Sequence, residues 1–212
     1  MRLSDRIRGL YGIADAQYRP EVPMDEKIRF FVDGGANCIQ LRMKEGGARL
    51  LYEATRKAVA RFGGRVVVLV DDRPDVALAA GAHGVHVGQE DLPVREVRAL
   101  VGPELVLGAT VRTLAEAREA LEAGADYVGF GPVFPTTTKA LSVEARGLSL
   151  LALVAREAGL PVVAIGGVGA ERAEPIARAG AVAGAVISDV LGAADPVAQA
   201  RRFVAEFARG LD

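Results

Sequence analysis

The chain has 212 residues, half of them hydrophobic and a quarter charged, which suits one globular domain over residues 1–212. Its formal net charge of -1 argues against a nucleic-acid binder, and no apolar run approaches the ~20 residues of a membrane helix. The N-terminus lacks the apolar core of a signal peptide, so we expect a cytoplasmic protein without nucleic-acid or membrane partners.

Short β-branched segments alternate with longer segments of helical periodicity along the whole chain. After a short N-terminal helix, we predict strands at Leu10–Ala14, Cys38–Leu41, Val66–Val70, Gly84–Val87, Leu105–Leu107, Tyr127–Phe130, Val162–Ile165 and Gly184–Ile187. We predict helices at Met24–Asp33, Ala48–Phe62, Pro74–Ala80, Pro93–Val101, Leu114–Ala123, Leu148–Ala158, Ala170–Ala179 and Pro196–Ala208. Eight strand–helix units predict an α/β fold, a single (β/α)8 TIM barrel. An open doubly wound sheet is the alternative, but no Gly-x-Gly-x-x-Gly follows the first strand.

Lysine is rare in this chain, with four residues, and cysteine occurs once. Lys44 and Lys139 follow predicted strands directly, whereas Lys27 and Lys57 fall on predicted helices, where we expect solvated side chains. Cys38 lies within an apolar run, which favours a buried structural thiol over a nucleophile.

The end of the second strand carries Gln40, Arg42 and Lys44 at alternate positions, so their side chains point the same way. Two cations on one face suit a polyanion such as a diphosphate. A solvated strand end is the alternative, although cations at this spacing repel unless an anion lies between them.

Two aspartates, Asp72 and Asp91, follow the third and fourth strands, whose ends are neighbours in a barrel. Mg²⁺ prefers oxygen ligands and often takes one or two carboxylates together with substrate phosphates and water. The pair therefore fits a Mg²⁺–diphosphate site. The alternative is that each aspartate caps the helix that follows it.

A loop rich in donors follows the sixth strand, because Pro132 and Pro135 exclude a helix there. Its segment Thr136–Lys139 offers hydroxyl and ammonium donors that suit an anion. Gly166–Gly167 and Ser188 close the seventh and eighth strands, where barrels commonly bind phosphate.

The positions of the two histidines do not favour a role as catalytic base for either of them. His83 precedes the fourth strand and so lies at the opposite end of the barrel. His86 lies within that strand, where we expect an interior or supporting role. Anion and metal binding without a base fit a reaction in which a diphosphate leaves and a neutral nucleophile attacks.

Five segments together resemble the thiamine-phosphate synthase family, also called thiamine-phosphate pyrophosphorylase. They are Gln40–Lys44, Asp72–Arg73, Gly84–Pro93, Gly131–Lys139 and Ala164–Gly167. The resemblance implies that hydroxymethylpyrimidine diphosphate and thiazole phosphate are joined in a Mg²⁺-assisted dissociative substitution that releases pyrophosphate. It implies that Asp72 and Asp91 hold the metal. It implies four catalytic residues that stabilise the departing diphosphate: Arg42, Lys44, Thr110 and Lys139. It also implies further substrate contacts by Gln40, Asp71, Thr136, Thr138, Gly167, Ile187 and Ser188.

The sequence departs from the family pattern at four places. Asp71 stands where Asn is usual, Thr110 where Ser is usual, Arg112 where His is usual, and Ala14–Asp15 where Thr-Asp is usual. These departures leave open a thiazole tautomerase of the same superfamily or a non-catalytic thiamine-phosphate-binding regulator. The retained aspartates and lysines favour the synthase. The sequence is also compatible with a homo-oligomer.

Overall fold

A computed structural model describes residues 3–136 and 144–211, and in these segments eight parallel strands close into a barrel. The strands are β1 (Gly9–Asp15), β2 (Cys38–Arg42), β3 (Val67–Asp71), β4 (Gly84–Val87), β5 (Val106–Val111), β6 (Tyr127–Phe130), β7 (Val162–Ala164) and β8 (Ala183–Val186). β1 pairs with both β2 and β8, which closes the ring. The predicted (β/α)8 barrel is therefore confirmed.

Helices follow the strands around the outside of the barrel. They are α1 (Met24–Asp33), α2 (Gly47–Phe62), α3 (Pro74–Ala80), α4 (Val94–Val101), α5 (Leu114–Glu122), α6 (Gly147–Glu157), α7 (Ala173–Arg178), α8 (Ser188–Leu191) and α9 (Pro196–Arg209). Short 3-10 helices span Leu3–Arg6 and Ala170–Arg172. Among the described residues, no helix has both the length and the apolar character needed to cross a membrane.

The strands are buried on both faces, which explains their continuous apolar sequences. In β3, Val67 and Leu69 belong to a cluster inside the barrel, while Val68 and Val70 pack in the layer between sheet and helices. Cys38 belongs to the inner cluster and is a buried free thiol, as predicted.

The fifth strand was predicted to end before Gly108, but it continues through this glycine to Val111. Gly108 has a packing role in the strand. Gly108 pairs with Tyr127 of β6, and a Cβ at Gly108 would lie 2.1 Å from Cζ of that ring. The absence of a side chain makes room for the tyrosine inside the barrel. β5 therefore continues to Val111, and Thr110 lies within the strand rather than at its end.

Two further boundaries differ from the predictions. The helix predicted at Ala170–Ala179 divides into the 3-10 segment and α7, because Pro175 lacks the N–H that would bond to the carbonyl of Glu171. The short helix α8 was not predicted, although it begins directly at the predicted site residue Ser188.

The expectation that Lys27 is solvated is wrong. Its side chain lies under the C-terminal end of β1, where the residue is only 1% exposed. The ammonium Nζ donates a hydrogen bond to the backbone carbonyl of Asp15 at 2.8 Å. Helical spacing places Lys27 beside the buried Ile28 and near Phe31, so this position faces the barrel despite its polar residue.

Candidate active site

A cavity of about 1060 Å³ opens at the C-terminal ends of the strands, and side chains from all eight strands or the loops after them line it. It brings together eleven of the thirteen residues predicted from the sequence: Gln40, Arg42, Lys44, Asp71, Asp72, Asp91, Thr110, Thr136, Gly167, Ile187 and Ser188. The other two, Thr138 and Lys139, lie outside the described residues.

Arg42 and Lys44 are paired with carboxylates of the chain itself. Arg42 Nη1 lies 2.5 Å from Asp15 Oδ2, and Arg42 Nε lies 3.5 Å from Asp71 Oδ2. Lys44 Nζ forms an ion pair with Asp72 and lies 3.7 Å from the same Asp71 oxygen. Partial burial opposes the charge of Lys44, but these carboxylates outweigh it and raise the lysine pKa. The chain's own carboxylates therefore lie between the two cations. From the sequence pattern, we expected a bound anion to relieve the repulsion between them.

Asp72 and Asp91 meet across the ends of β3 and β4. Their carboxyl groups lie close enough to shift each other's pKa, and Asp91 Oδ2 accepts the Gly88 N–H at 2.7 Å. Asp72 has a φ of 59°, a left-handed conformation that is uncommon outside glycine and that clusters at functional sites. Neither aspartate caps a helix, because α3 and α4 begin without a side-chain cap. The capping alternative is therefore wrong.

The two carboxyl groups differ in their affinity for protons. Burial works against the ionised form of Asp72, but hydrogen bonds with Asp91 and Lys44 outweigh it and lower its pKa. Burial raises the pKa of Asp91, and the neighbouring Asp72 raises it further. Two carboxylates this close repel each other when both are ionised. Their oxygen donors therefore suit a hard divalent cation placed between them.

A chain of hydrogen bonds runs from the cavity into the barrel. Thr110 Oγ1 lies 2.9 Å from His86 Nε2, and His86 Nδ1 lies 2.9 Å from the Tyr127 hydroxyl. That hydroxyl is 3.0 Å from the hydroxyl of Tyr11. Burial raises the pKa of both tyrosines well above the ordinary value, which keeps them neutral. His86 therefore lies inside the barrel and supports the side chain of Thr110.

The loops after β6 and β7 pack directly on each other. Phe134 N donates to the Gly166 carbonyl at 3.1 Å. Gly167 has a φ of 63°, and a Cβ there would lie 2.5 Å from the carbonyl oxygen of Pro135. Only glycine combines this conformation with this close approach. The glycine turn after β7 is thus adjacent to Thr136 in the wall of the cavity.

The end of β8 is hydrogen-bonded to the 3-10 segment that follows the glycine turn. Ile187 and Ser188 line the cavity at the start of α8. The next residue, Asp189, accepts hydrogen bonds from Ala170 N and Gln199 Nε2, both at 3.0 Å, through its Oδ2 atom. This carboxylate connects the ends of β7 and β8 to α9.

Sequence reasoning did not assign three further residues at the site. Asp15, the partner of Arg42, ends β1 and would have been found by examining the first strand end as closely as the others. Asp189 follows a predicted site residue directly. Arg172 donates to the Gly167 carbonyl at 2.5 Å, and its guanidinium carbon lies 4.5 Å from the centre of the Phe134 ring. Nothing in the sequence pattern indicated that arginine.

Barrels of this type carry their chemistry at the C-terminal ends of the strands. In this chain, two cations, a close carboxylate pair and a glycine turn converge at that end within one cavity. These features define the class as a (β/α)8-barrel enzyme that acts on anionic substrates.

Comparison with known proteins identifies the family. The thiamine monophosphate synthase family matches residues 10–190. The chain is 56% identical over 184 residues to a thiamine-phosphate synthase of Anaeromyxobacter dehalogenans, covering 87% of this chain and 83% of that protein. It is 48% identical over 204 residues to the Myxococcus xanthus thiamine-phosphate synthase, covering 96% and 94%. The chain belongs to the thiamine monophosphate synthase family, which confirms the resemblance stated above.

Solved structures agree with this assignment. A thiamine phosphate pyrophosphorylase from Pyrococcus furiosus superimposes with a TM-score of 0.87 at 36% identity, covering 100% of both chains. A 3-hexulose-6-phosphate synthase from Salmonella typhimurium matches with a TM-score of 0.71 at 18% identity, over 95% of this chain and 99% of that one. The second similarity shows the barrel fold alone.

Proposed function

We propose that this chain is a thiamine-phosphate synthase that joins hydroxymethylpyrimidine diphosphate to thiazole phosphate and releases pyrophosphate. The observation that carries the proposal is the carboxylate pair Asp72–Asp91 beside Lys44 in a member of this family. A barrel that only binds thiamine phosphate needs no group that stabilises a departing diphosphate.

The metal of this proposal is Mg²⁺, held by Asp72 and Asp91. Both donors are hard carboxylate oxygens, which this ion prefers. In the part of the chain that the structure describes, no group of three His, Cys, Asp or Glu side chains is arranged to hold a metal ion. Further ligands would therefore come from substrate phosphate and water, as is usual for Mg²⁺. When bound, the ion would supply positive charge to the leaving group.

Arg42 and Lys44 are proposed to hold the diphosphate from the side of β2. Lys44 is partly exposed at the cavity, and Arg42 is mostly buried beneath it. Arg42 Nε is buried, and its ion pair with Asp71 at 3.5 Å does not complete a hydrogen bond. Gln40, Asp71 and Thr110 line the same part of the cavity. The family resemblance places Lys139, which lies outside the described residues, with them.

The thiazole phosphate is proposed to bind on the opposite side, between the ends of β6, β7 and β8. The supporting observation is that Thr136, Gly167, Ile187 and Ser188 line one wall of the cavity. The family resemblance adds Thr138, which lies outside the described residues, to this group. The two substrates would then meet above the centre of the barrel, where Thr110 and His86 lie.

The proposed reaction proceeds by dissociation followed by capture. The C–O bond between the pyrimidine methylene and the diphosphate breaks, and its electron pair leaves with pyrophosphate. The lone pair of the thiazole nitrogen then forms the new C–N bond. No proton needs to be removed at the reacting atoms, so the residues around the diphosphate act by electrostatic stabilisation. This agrees with a cavity histidine that is engaged by Thr110 and Tyr127.

The test is to incubate the purified protein with both substrates and Mg²⁺ and to quantify thiamine phosphate. We expect product that depends on both substrates. A parallel incubation with a thiazole phosphate tautomer alone measures isomerisation. Isomerisation without any thiamine phosphate would replace the synthase by the tautomerase, and binding of thiamine phosphate without either reaction would indicate the regulator.

A further inference from the structure

The buried lysine of α1 has no part in the reaction described so far. Lys27 is 1% exposed and does not line the cavity. Removing an ammonium group from water is unfavourable, whereas an unbranched apolar side chain would fill such a space without that penalty. A lysine at this position therefore calls for a use of its donors or its charge.

The hydrogen bond of Lys27 leads directly to the diphosphate side of the cavity. Nζ donates to the backbone carbonyl of Asp15 at 2.8 Å. Asp15 is itself only 4% exposed, and its Oδ2 lies 2.5 Å from Arg42 Nη1. Its other carboxylate oxygen accepts the Gln17 N–H at 2.8 Å. The lysine thus holds the backbone of the residue whose carboxylate holds the arginine.

The backbone makes this connection stiff. Asp15 and Arg42 are directly paired in the β1–β2 ladder, and the Ala16 N–H donates to the Arg42 carbonyl at 2.8 Å. A shift at the end of β1 would therefore move both the main chain and the side chain of Arg42. Of the charges near Lys27, Asp15 and Glu21 are attractive and Arg19 is repulsive.

We propose that Lys27 is a positioning residue for the diphosphate subsite, acting through Asp15 on the orientation of Arg42. The inference deepens the proposed function and rests on it for the identity of the substrate. Lys27 does not touch the substrate, so its effect is expected on diphosphate affinity and not on the thiazole side of the cavity.

The test compares Lys27→Met with two controls on α2. Lys57→Met removes an exposed lysine, and Thr55→Val removes a buried hydroxyl that donates to the Leu51 carbonyl at 2.7 Å. We expect Lys27→Met to raise the KM for pyrimidine diphosphate about tenfold, a typical effect of losing a supporting contact, with the KM for thiazole phosphate little changed. Both controls should leave the ratio of the two KM values unchanged, even where Thr55→Val lowers the melting temperature.

A second readout separates this inference from the proposed function. Calorimetric titration with pyrophosphate and Mg²⁺ should show about tenfold weaker binding for Lys27→Met and for Asp15→Asn. The double variant should be no weaker than the weaker single variant, because both substitutions break one path. Equal rises in both KM values, or additive effects in the double variant, would leave Lys27 a purely structural residue.

Two outcomes keep the test decisive. If Lys27→Met does not fold, unchanged pyrophosphate affinity in Asp15→Asn overturns the inference. If the wild-type protein forms no thiamine phosphate, the proposed function fails while the pyrophosphate titrations still decide the role of Lys27.

Discussion

At the scale of single residues, Asp71 has the least obvious role. Its Oδ2 lies 3.5 Å from Arg42 Nε and 3.7 Å from Lys44 Nζ, so one oxygen faces both cations. The same negative charge opposes a diphosphate that approaches these cations. In the proposed diphosphate subsite, Asp71 is therefore expected to position both cations and to weaken diphosphate binding.

We predict that Asp71→Asn keeps its kcat/KM within about threefold of wild type, because an amide oxygen still accepts hydrogen bonds while the repulsive charge is lost. Asp71→Leu offers no acceptor and should lose about tenfold or more, as expected when a buried polar partner is removed. Steady-state kinetics with varied pyrimidine diphosphate measures both variants. Equal activity of the two variants would show that the acceptor at this position is unimportant.

The carboxylate pair should make metal affinity sensitive to pH. In the proposed site, Mg²⁺ would compete with protons for these oxygens. The raised pKa of Asp91 means that its proton is lost at higher pH than the ~3.9 of an ordinary aspartate. The neighbouring Asp72, with its lowered pKa, and the cation Lys44 stay ionised over that range. The apparent Kd for Mg²⁺ should therefore rise as pH falls through the Asp91 pKa. Calorimetry at a series of pH values measures it, and a Kd independent of pH down to the ordinary aspartate range would contradict the prediction.

At the scale of elements, the glycine turn after β7 holds two loops in register. Gly167→Ala combines strain at a φ of 63° with a Cβ that would meet the Pro135 carbonyl. Gly81→Ala is a matched control, because Gly81 has a φ of 69° and nothing within 4 Å of a Cβ. Both should lose about 1–2 kcal/mol from the left-handed backbone. Only Gly167→Ala should also raise the KM for thiazole phosphate, and equal KM values in the two variants would separate this turn from substrate binding.

Local sequence patterns predicted the type of each barrel strand and most of the helices. They failed where tertiary contacts decide the outcome. We predicted that the fifth strand ends before Gly108, because glycine is uncommon inside strands. In the structure, Gly108 lies within the strand and leaves space for the Tyr127 ring. We expected Lys27 to be solvated because lysine is charged, although its position in α1 lies on the buried face of the helix. Tyr127, which packs on Gly108, and Asp15, which accepts the hydrogen bond of Lys27, are both distant in sequence from these residues.

At the scale of the whole molecule, the last helix stabilises the closure of the barrel. α9 packs against α1, α7 and β1, and its Phe203 is fully buried and stacks on Phe207. Phe203→Ala should lower the free energy of unfolding by about 3–5 kcal/mol, as other large-to-small core substitutions do. Leu211→Ala, at a residue 68% exposed, should change it by less than about 0.5 kcal/mol. Urea denaturation measures both, and similar values would mean that α9 is not part of the cooperative core.

The barrel also explains why so many of the predicted site residues line one cavity. Once eight strand–helix units are recognised, every strand end must point to one face, and polar residues there become neighbours. This places Arg42, Asp72 and Asp91 together although they come from three strands. Pairing within the site could not be predicted, because the contacts of Asp15 and Arg172 depend on side-chain geometry.

The Mg²⁺ dependence of thiamine phosphate formation, measured for wild type, Asp91→Ala and Asp75→Ala, tests the central claim most directly. Asp75 is an exposed carboxylate on α3 that pairs with Arg73, so its loss controls for charge alone. We expect saturable dependence on Mg²⁺ in wild type and Asp75→Ala, and a loss of about 100-fold in Asp91→Ala with the fold retained. Full activity of Asp91→Ala, or wild-type turnover that is independent of Mg²⁺, would contradict the account.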